Sequence, residues 1–349
     1  MENSVKSKIR NLAIAAVLAT CTTIAAQAET LTKVTVMQPV ASYDVRYAPW
    51  AIAKQNGYFA KEGLDIDLPL TKGSLIVIQQ LINGNAAYGM LPPDAVTIAN
   101  SKGSNLKFFY SFTTKNPFPL AVLEDSTVKS LDDLRGKKIG VFSLSAVQFY
   151  ITQAIMKSRG MDKDKDYTLI DVGSGPAALA ALQRGDVDAL AEDIIVYGGF
   201  INRGARFRYL TSPQVEKVFA WGLLSTEENL KKNPQQAAAI ARALTRGRIA
   251  CTADTRKCIE AYFAQYPNAK PQGLDADTAV KEQEFLLKQF LAYSPKPDGE
   301  WGSYPAGAWD AVMSYLTSSG LIPAPVDYAK MYTPDLLKDI NSFDAASIK

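Results

Sequence analysis

The sequence predicts an α/β protein with two successive series of alternating strands and helices and a mainly helical carboxyl-terminal part. Three observations support this class: β-branched runs alternate with helix-compatible segments, the alternation restarts near residue 131, and helices dominate beyond residue 214. The chain has 349 residues, which suits about two domains of roughly 150 residues each. Hydrophobic residues make up 47% of the chain, a composition typical of a globular protein.

The first series begins with a β-branched run that ends before Pro39. A helix with Pro49 in its first turn and Gly57 near its end follows. The predicted elements are a strand at 33–37, a helix at 47–59, a strand at 64–70, a helix at 74–82, a strand at 86–90, a helix at 93–101, and extended segments at 106–113 and 120–123. This alternation is typical of largely parallel sheets.

The second series begins at 131–134 and repeats the same alternation. Its predicted elements are strands at 138–142, 168–172 and 189–191, and helices at 146–159 and 177–184 with one more helix after residue 191. One further strand, at 219–225, precedes helices at 229–233, 235–250, 257–265, 278–292, 306–318 and 335–341, which proline residues separate. The order suggests a chain that builds one lobe, then a second, and then returns to the first.

The chain contains no histidine. This excludes a Ser-His-Asp triad, a Cys-His pair and a His-ligated zinc site, because each needs an imidazole. An enzyme with this sequence would depend on carboxylates, Lys or Tyr for proton transfer. There is no P-loop, and residues 173–175 lack the third glycine of the dinucleotide-binding fingerprint. We therefore predict no metal site and no cofactor.

The first 28 residues predict a cleaved export signal. Three basic residues precede an uncharged segment at 11–26, and the Ala-Gln-Ala sequence at 26–28 fits signal peptidase cleavage after Ala28. Lipid attachment at Cys21 is the alternative, although Thr20 is a poor residue in front of such a cysteine. Cleavage lowers the formal charge from +3 to +1, so the basicity indicates no nucleic-acid partner. We expect a soluble periplasmic protein without a membrane-spanning segment.

Cys251 and Cys258 are the two cysteines that remain after cleavage, in a compartment that permits disulfides. On one unbroken helix they would be about 10.5 Å apart along the axis, beyond the reach of a disulfide. The segment 252–255 offers a helix stop and a new N-cap, however, so a helix–turn–helix could bring the two thiols together. Two buried free thiols are the alternative.

Three segments carry a resemblance to a known family. Residues 47–66 resemble the first helix and second strand of periplasmic substrate-binding proteins of ABC importers, in the nitrate/sulfonate/taurine class. Residues 131–141 are similar to the segment that opens the second lobe of those proteins, and residues 178–190 to a later helix and strand that return to the ligand. The order and spacing of all three segments fit this family, whose fold also serves binders of thiamine-precursor pyrimidines.

The resemblance implies a two-lobed clamp of the type II periplasmic-binding-protein fold, with mixed, mainly parallel sheets and a helical carboxyl-terminal extension. Lobe I would comprise residues 29–115 and 216–349, and lobe II residues 116–215. Two crossovers would join the lobes, at 113–119 and 211–221. The resemblance also implies a small-molecule solute, an ABC permease with its ATPase as partners, and a monomer that closes by hinge motion.

The sequence departs from the family pattern in two ways, and each limits the function that the resemblance implies. The wider family includes an enzyme that makes the thiamine pyrimidine by consuming its own histidine with pyridoxal phosphate, which a chain without histidine cannot do. Many relatives carry a Trp-Asp pair where this chain has Glu192 and Asp193. A carboxylate in the pocket repels simple oxyanions such as nitrate and argues against them as solutes.

Ligands of parallel sheets bind beyond the carboxyl ends of the strands, where loops and helix N-termini converge. After the first strand, Tyr43 could stack on a planar ligand and Asp44 could accept a hydrogen bond from an amine, with Tyr47 opening the helix. The alternative for Asp44 is an N-cap. After the second strand, Ser74 begins a helix whose free N–H groups favour a negative or carbonyl group.

The third strand of the first series leads to Pro92 and Asp94 at the start of another helix. Asp94 can contact the ligand or serve as a partner of the helix dipole. On the crossovers, Asn116 and Trp221 could both touch the ligand while the lobes close. Trp50, in contrast, is expected to pack in the core of its helix.

In the second series, Ser143 and Ser145 follow a strand and precede a long helix. Their hydroxyls could hold a carboxylate or sulfonate, with simple N-capping by Ser145 as the alternative. Ser174, Glu192 and Asp193 complete the predicted site.

The function predicted from these features is capture of a small organic solute, a sulfonate, aromatic acid, pyrimidine or amine, for an ABC importer. Two alternatives remain: an exported carboxylate-based enzyme in the same cleft, and a binding module that presents its closed form to a receptor. Glu192 and Asp193 are adjacent and face opposite sides of an extended segment, which does not suit an acid/base pair.

Overall fold

The computed structural model describes residues 30–144 and 146–348 of the chain. The predicted export signal, Cys21 and Ser145 lie outside the described residues. The ten strands in chain order are β1 (Thr32–Met37), β2 (Leu64–Asp67), β3 (Tyr88–Leu91), β4 (Leu106–Ser111), β5 (Leu120–Leu123), β6 (Lys138–Val141), β7 (Thr168–Asp171), β8 (Ala189–Ala191), β9 (Phe207–Leu210) and β10 (Gly222–Thr226).

Two five-stranded sheets form, with the orders β2-β1-β3-β10-β4 and β7-β6-β8-β5-β9. In the first sheet β1 is parallel to β2 and β3, whereas β10 is antiparallel to both β3 and β4. In the second sheet β6 is parallel to β7 and β8, whereas β5 is antiparallel to β8 and β9. These sheets confirm the predicted α/β class with mixed sheets.

Helices cover the faces of both sheets and form most of the carboxyl-terminal part. They are α1 (Ala48–Gln55), α2 (Tyr58–Lys61), α3 (Ser74–Ile82), α4 (Pro93–Ser101), α5 (Val147–Lys157), α6 (Pro176–Arg184), α7 (Ile194–Ile201), α8 (Pro213–Glu216), α9 (Glu227–Lys232), α10 (Pro234–Ala253), α11 (Thr255–Gln265), α12 (Ala276–Ala292), α13 (Ala308–Ser318) and α14 (Leu337–Ile340). Within the described part of the chain, no helix combines the length and apolar character needed to cross a membrane.

Two chain segments connect the sheets, and they pair with each other. The segment 112–119 leads from β4 to β5, and the segment 211–221 leads from β9 to β10. The backbone N–H groups of Phe112 and Thr113 both donate to the carbonyl oxygen of Trp221, at 2.8 and 3.1 Å. The N–H of Asn116 donates to the carbonyl of Glu216 at 3.3 Å. The predicted crossovers at 113–119 and 211–221 therefore fall on the connections between the sheets.

One predicted element is wrong, and the structure contains two short elements that were not predicted. The single helix predicted at 47–59 is wrong, because the chain forms a 3₁₀ turn at Val45–Tyr47, then α1, then α2. Gly57 separates the two helices with φ of +69°, a left-handed conformation that glycine adopts without a side-chain clash. Strand β9 and the short helix α8 were not predicted. Strand β9 is at the edge of its sheet with three half-buried residues, so its hydrophobic alternation is weak.

Helices α10 and α11 both pack against α1, which carries Trp50 in the core at 1% exposure, as predicted. The contact between α10 and α1 depends on Gly247, since a Cβ atom there would lie 2.1 Å from the carbonyl oxygen of Pro49. Between α10 and α11 the chain turns at Asp254, whose side chain accepts a hydrogen bond from the N–H of Lys257. This turn brings the Cα atoms of Cys251 and Cys258 to 5.0 Å, and the two cysteines form a disulfide.

Candidate functional site

The carboxyl ends of the parallel strands in the two sheets face each other. The loop after β1 carries Arg46, and the loop after β8 carries Asp193. A guanidinium nitrogen of Arg46, Nη1, lies 2.8 Å from Oδ2 of Asp193. This ion pair joins the two sheets at the edge where ligands of parallel sheets bind.

Arg46 lies between two carboxylates. Asp44 caps the 3₁₀ turn by accepting a hydrogen bond from the Arg46 N–H at 2.9 Å, and its carboxylate also accepts from Nε and Nη2 of Arg46. Asp193 caps α7 by accepting from the N–H of Ile195 at 2.8 Å. Each acid thus caps the start of a helix and also binds the guanidinium of Arg46. For Asp44, the observed contacts are those of the N-cap that the sequence offered as the alternative to a ligand contact.

The three charges of this cluster influence one another strongly because they are mostly buried. Burial alone would lower the pKa of Arg46, but the carboxylates of Asp44 and Asp193 outweigh this effect and raise it. Burial raises the pKa of Asp193, and Arg46 offsets part of that rise. The guanidinium carbon also lies 5.2 Å from the ring centre of Trp221, a cation–π contact. One cation between two acids leaves this cluster with no surplus positive charge for an anionic ligand.

Glu192 precedes this cluster and is only 2% exposed. Its Oε2 accepts a hydrogen bond from the N–H of Asp193 at 3.2 Å, and its Oε1 is buried without a hydrogen-bond partner among the described residues. Burial raises the pKa of Glu192 to about 7, although hydrogen bonds from the Asp193 backbone and the Ser174 hydroxyl act in the opposite direction. Near neutral pH this carboxyl group can therefore donate or accept a hydrogen bond.

Tyr43 and Tyr47 have protein partners of their own. The Tyr43 ring stacks on Tyr266 with 3.9 Å between ring centres, and its hydroxyl donates to the carbonyl oxygen of Leu68 at 2.8 Å. Tyr47 is 2% exposed, and its hydroxyl donates to Gln38 Oε1 at 3.3 Å. One ring face of Tyr43 is thus occupied by protein, and the predicted stacking of this residue on a ligand stays a prediction.

The remaining first-sheet candidates stand at helix starts. Ser74 is the first residue of α3, directly after Gly73. Pro92 is the N-cap of α4, and one carboxylate oxygen of Asp94 is buried without a partner among the residues described. Burial raises the pKa of Asp94. The structure brings Pro92 and Asp94 together with Asn116 around one small pocket, in which Oδ1 of Asn116 accepts from the N–H of Phe118.

In the second sheet, Ser143 lies half-buried in the loop after β6, and Ser174 lies exposed in the loop after β7. The N-cap residue of α5 is Ala146, and Ser145, the residue before it, lies outside the described residues. The same loop exposes two large apolar side chains, Phe142 and Leu144, at 46% and 50%. On the first sheet, Leu75 at the start of α3 is 66% exposed. The strand-end loops thus combine buried charges with accessible apolar side chains.

Sequence reasoning missed Arg46, the residue that brings Asp44, Asp193 and Trp221 together. A lone arginine between a capping acid and a helix carries no sign that its second partner is 147 positions away. The available signal was the Asp-Val-Arg order itself, because Asp44 two positions earlier could both cap the turn and hold the guanidinium. Among the described residues, no group of three or more acids and cysteines is arranged to hold a metal ion.

Comparisons with known proteins agree with this architecture. The model of the family described as NMT1/THI5 like matches residues 45–257. The riboflavin-binding protein RibY of Chloroflexus aurantiacus is 24% identical over 308 residues, covering 84% of this chain and 83% of RibY. The formylaminopyrimidine-binding protein of Halalkalibacterium halodurans is 24% identical over 282 residues, covering 79% of this chain and 82% of that protein.

Among solved structures, the periplasmic aliphatic sulphonate binding protein SsuA of Escherichia coli superposes with a TM-score of 0.63. The two chains are 17% identical, and the superposition covers 86% of this chain and 92% of SsuA. At this identity the likeness concerns the fold.

Proposed function

The chain belongs to the NMT1/THI5-like family, and from this premise we propose that it is the solute-binding component of an ABC importer. It holds a small organic molecule between the strand-end loops of the two sheets and presents the closed form to a membrane permease and its ATPase. RibY and the formylaminopyrimidine-binding protein carry the names of binding proteins. The chain is accordingly a binding protein and not an enzyme.

The observation that carries this proposal is the meeting of the two strand-end edges at Arg46 and Asp193. A clamp of two sheets joined by two paired crossovers can trap a solute where loops from both sheets converge. The same cluster argues against acid/base chemistry, since Asp193 is ion-paired and caps α7. It is therefore not free to share a proton with Glu192 across a substrate.

The chemistry of the cleft favours one of the solute classes that the sequence allows. Oε1 of Glu192 is buried and lacks a protein partner among the described residues, so a solute N–H or ring nitrogen would satisfy it. Phe142 and Leu144 expose apolar surface suited to the faces of a flat ring. We therefore favour a nitrogen-containing ring compound, the class to which flavins and formylaminopyrimidines belong, over a simple anion.

Three finer parts of the proposal go with this assignment. Lobe I is formed by residues 29–115 and 216–349 and lobe II by residues 116–215, consistent with where the connections between the sheets lie. The protein is exported and cleaved after Ala28, in keeping with a periplasmic fold relative. It acts as a monomer, and Tyr43, Ser74, Ser143 and Ser174 are further solute contacts in the closed form.

The experiment is mass spectrometry of solute released by unfolding the protein as purified from a periplasmic extract. We expect a stoichiometric organic molecule with a nitrogen-containing ring, which raises the melting temperature when it is added back and is recovered unchanged. Conversion of that molecule during incubation would contradict the assignment as a binding protein. The solute class would be wrong if a sulfonate or amine raised the melting temperature and no pyrimidine or flavin did.

A further inference from the structure

A cavity much larger than the small pocket at Pro92, Asp94 and Asn116 lies against the connections between the sheets. Its volume is about 910 Å³, within the range of small-molecule sites. Both crossovers line it, together with the segment between α12 and α13. Of the residues predicted for the solute site, Asn116 is the one found among its described lining residues. We call this space the crossover cavity.

The inner wall of the crossover cavity is apolar and well packed. Ile155, Leu210 and Val215 line it and are 1%, 4% and 3% exposed. Tyr304 also lines the cavity, with its ring centre 4.4 Å from that of Phe219. These side chains have fixed neighbours, so the wall is preformed and suits an apolar or aromatic group.

The rim of the crossover cavity carries a surplus of unpaired positive charge. Lys115, Lys217 and Lys296 line it and are exposed, and within the described part of the chain none of their ammonium groups is in an ion pair. Glu216 and Asp298 are the two acids on the same lining. This contrasts with the solute site, where one guanidinium lies between two carboxylates.

We propose that the crossover cavity is a second binding site, which takes an organic monoanion with an aromatic or aliphatic body. The apolar body lies in the cavity against the accessible side chains of Tyr304, Pro305 and Ala306, above the packed residues Ile155, Leu210 and Val215, and the acidic group lies at the lysine rim. Apolar burial supplies most of the affinity, and the lysines add preference for a negative charge. This site lies apart from Arg46 and Asp193, and among its described lining residues it shares Asn116 with the predicted solute site.

The test uses two dyes that share an aromatic body and differ in charge. The dye 1-anilinonaphthalene-8-sulfonate carries a sulfonate, and N-phenyl-1-naphthylamine does not. The mature protein should bind the sulfonate dye about three- to tenfold more tightly in a fluorescence titration, since exposed charges contribute modestly. The triple variant Lys115→Gln/Lys217→Gln/Lys296→Gln should lose this preference. The variant Lys231→Gln/Lys281→Gln/Lys288→Gln, with the same change in net charge, should keep it.

A second variant tests the place of binding. Ala306 is exposed and lines the crossover cavity, so Ala306→Trp fills the space without altering the core. We expect it to weaken both dyes by about tenfold or more, because the space for their aromatic body is lost. Ala60→Trp, at an exposed position of α2, is the matched control. Unchanged dye binding in Ala306→Trp, or a retained sulfonate preference in the lysine variant, would overturn the proposal.

Discussion

Two arginines, the half-buried Arg46 and the buried Arg248, serve the two regions of this molecule in opposite ways. Arg46 stands at the solute site between the carboxylates of Asp44 and Asp193. Arg248, on α10, is 2% exposed and has no ion pair within the described residues. Its Nη1 donates to the carbonyl oxygen of Phe112 on the first crossover at 2.6 Å, and its guanidinium lies over the rings of Phe112 and Trp301.

The difference shows what each arginine contributes. Acids outweigh the burial of Arg46 and raise its pKa, whereas burial lowers the pKa of Arg248. Arg46 therefore joins two charged loops from different sheets, and its loss leaves acids without their partner. Arg248 supports a crossover through a carbonyl and aromatic faces, and its loss leaves no opposite charge behind. An arginine thus stabilises the first region mainly through ion pairs and the second mainly through a hydrogen bond and aromatic contacts.

The largest effect is expected from Arg46→Met. It leaves Asp193 buried without its counter-charge, so the free energy of unfolding should fall by about 3 kcal/mol in urea titrations. The matched control is Arg256→Met, because Arg256 pairs with Asp277 at 3.0 Å on the surface and should matter little. Equal losses in the two variants would show that the Arg46 cluster does not stabilise the fold.

Glu192 offers a pH test of the same region, since it is a buried acid without a neutralising cation. Burial raises the pKa of Glu192 to about 7 in the folded protein, so folding favours the protonated form of this group. Its contribution to the free energy of unfolding is therefore complete below the pKa of the unfolded state and is lost as the pH rises through about 7. Between pH 4.5 and 8 this loss should reach about 2–3 kcal/mol. Glu192→Gln should remove this part of the pH dependence, measured as the difference between the two unfolding curves. If the free energy of unfolding changed with pH in the same way in both proteins, Glu192 would not be the group that titrates with a raised pKa.

The disulfide between Cys251 and Cys258 supports both regions. It lies one helical turn after Arg248 on α10, and it fixes α11, whose Tyr262 hydroxyl donates to the carbonyl oxygen of Tyr43 at 3.2 Å. The double variant Cys251→Ala/Cys258→Ala should lose about 2 kcal/mol of stability, because the closed loop is short. Reduction should destabilise the wild type by a similar amount and leave the variant unaffected. A wild type insensitive to reduction would argue for free thiols in solution.

Arg248→Met should have the smallest effect. It removes a buried cation without leaving an opposite charge unpaired, and methionine can fill much of the same space. We expect a loss of about 1 kcal/mol or less in the free energy of unfolding. A loss as large as that of Arg46→Met would show that the carbonyl of Phe112 and the aromatic rings hold Arg248 far more strongly than this comparison allows.

Much of the fold could be predicted from local patterns. The helices that begin at Ser74 and Pro93 and the strand Ala189–Ala191 were predicted with the bounds that the structure has. The turn at Asp254 between the two helices that carry cysteines could also be predicted, because a helix stop and an N-cap are local signals in the sequence. The break at Gly57 was not, because Gly57 was interpreted as the end of the helix and not as a left-handed link to a second one.

The sequence predicts where along the chain the candidate site residues lie better than it predicts which residues they contact. Asp44 and Asp193 follow from the rule that ligands bind at the carboxyl ends of strands, and Trp221 follows from its place on the second crossover. Arg46 could not be found in this way, because its role depends on two loops that only the folded sheets bring together. The stacking of Tyr43 on Tyr266 was also invisible, since the partner lies on α11, far along the chain.

The most direct test is calorimetric titration of the extracted solute into the wild type, Glu192→Gln and Glu260→Gln. Glu260 is an exposed acid on α11 and provides the same substitution outside the cleft. Our account predicts that Glu192→Gln weakens solute binding by about ten- to hundredfold, because a hydrogen bond to a carboxylate is stronger than one to a neutral amide, while Glu260→Gln binds like the wild type. Equal affinity of all three proteins would contradict the placement of the solute between the strand-end loops.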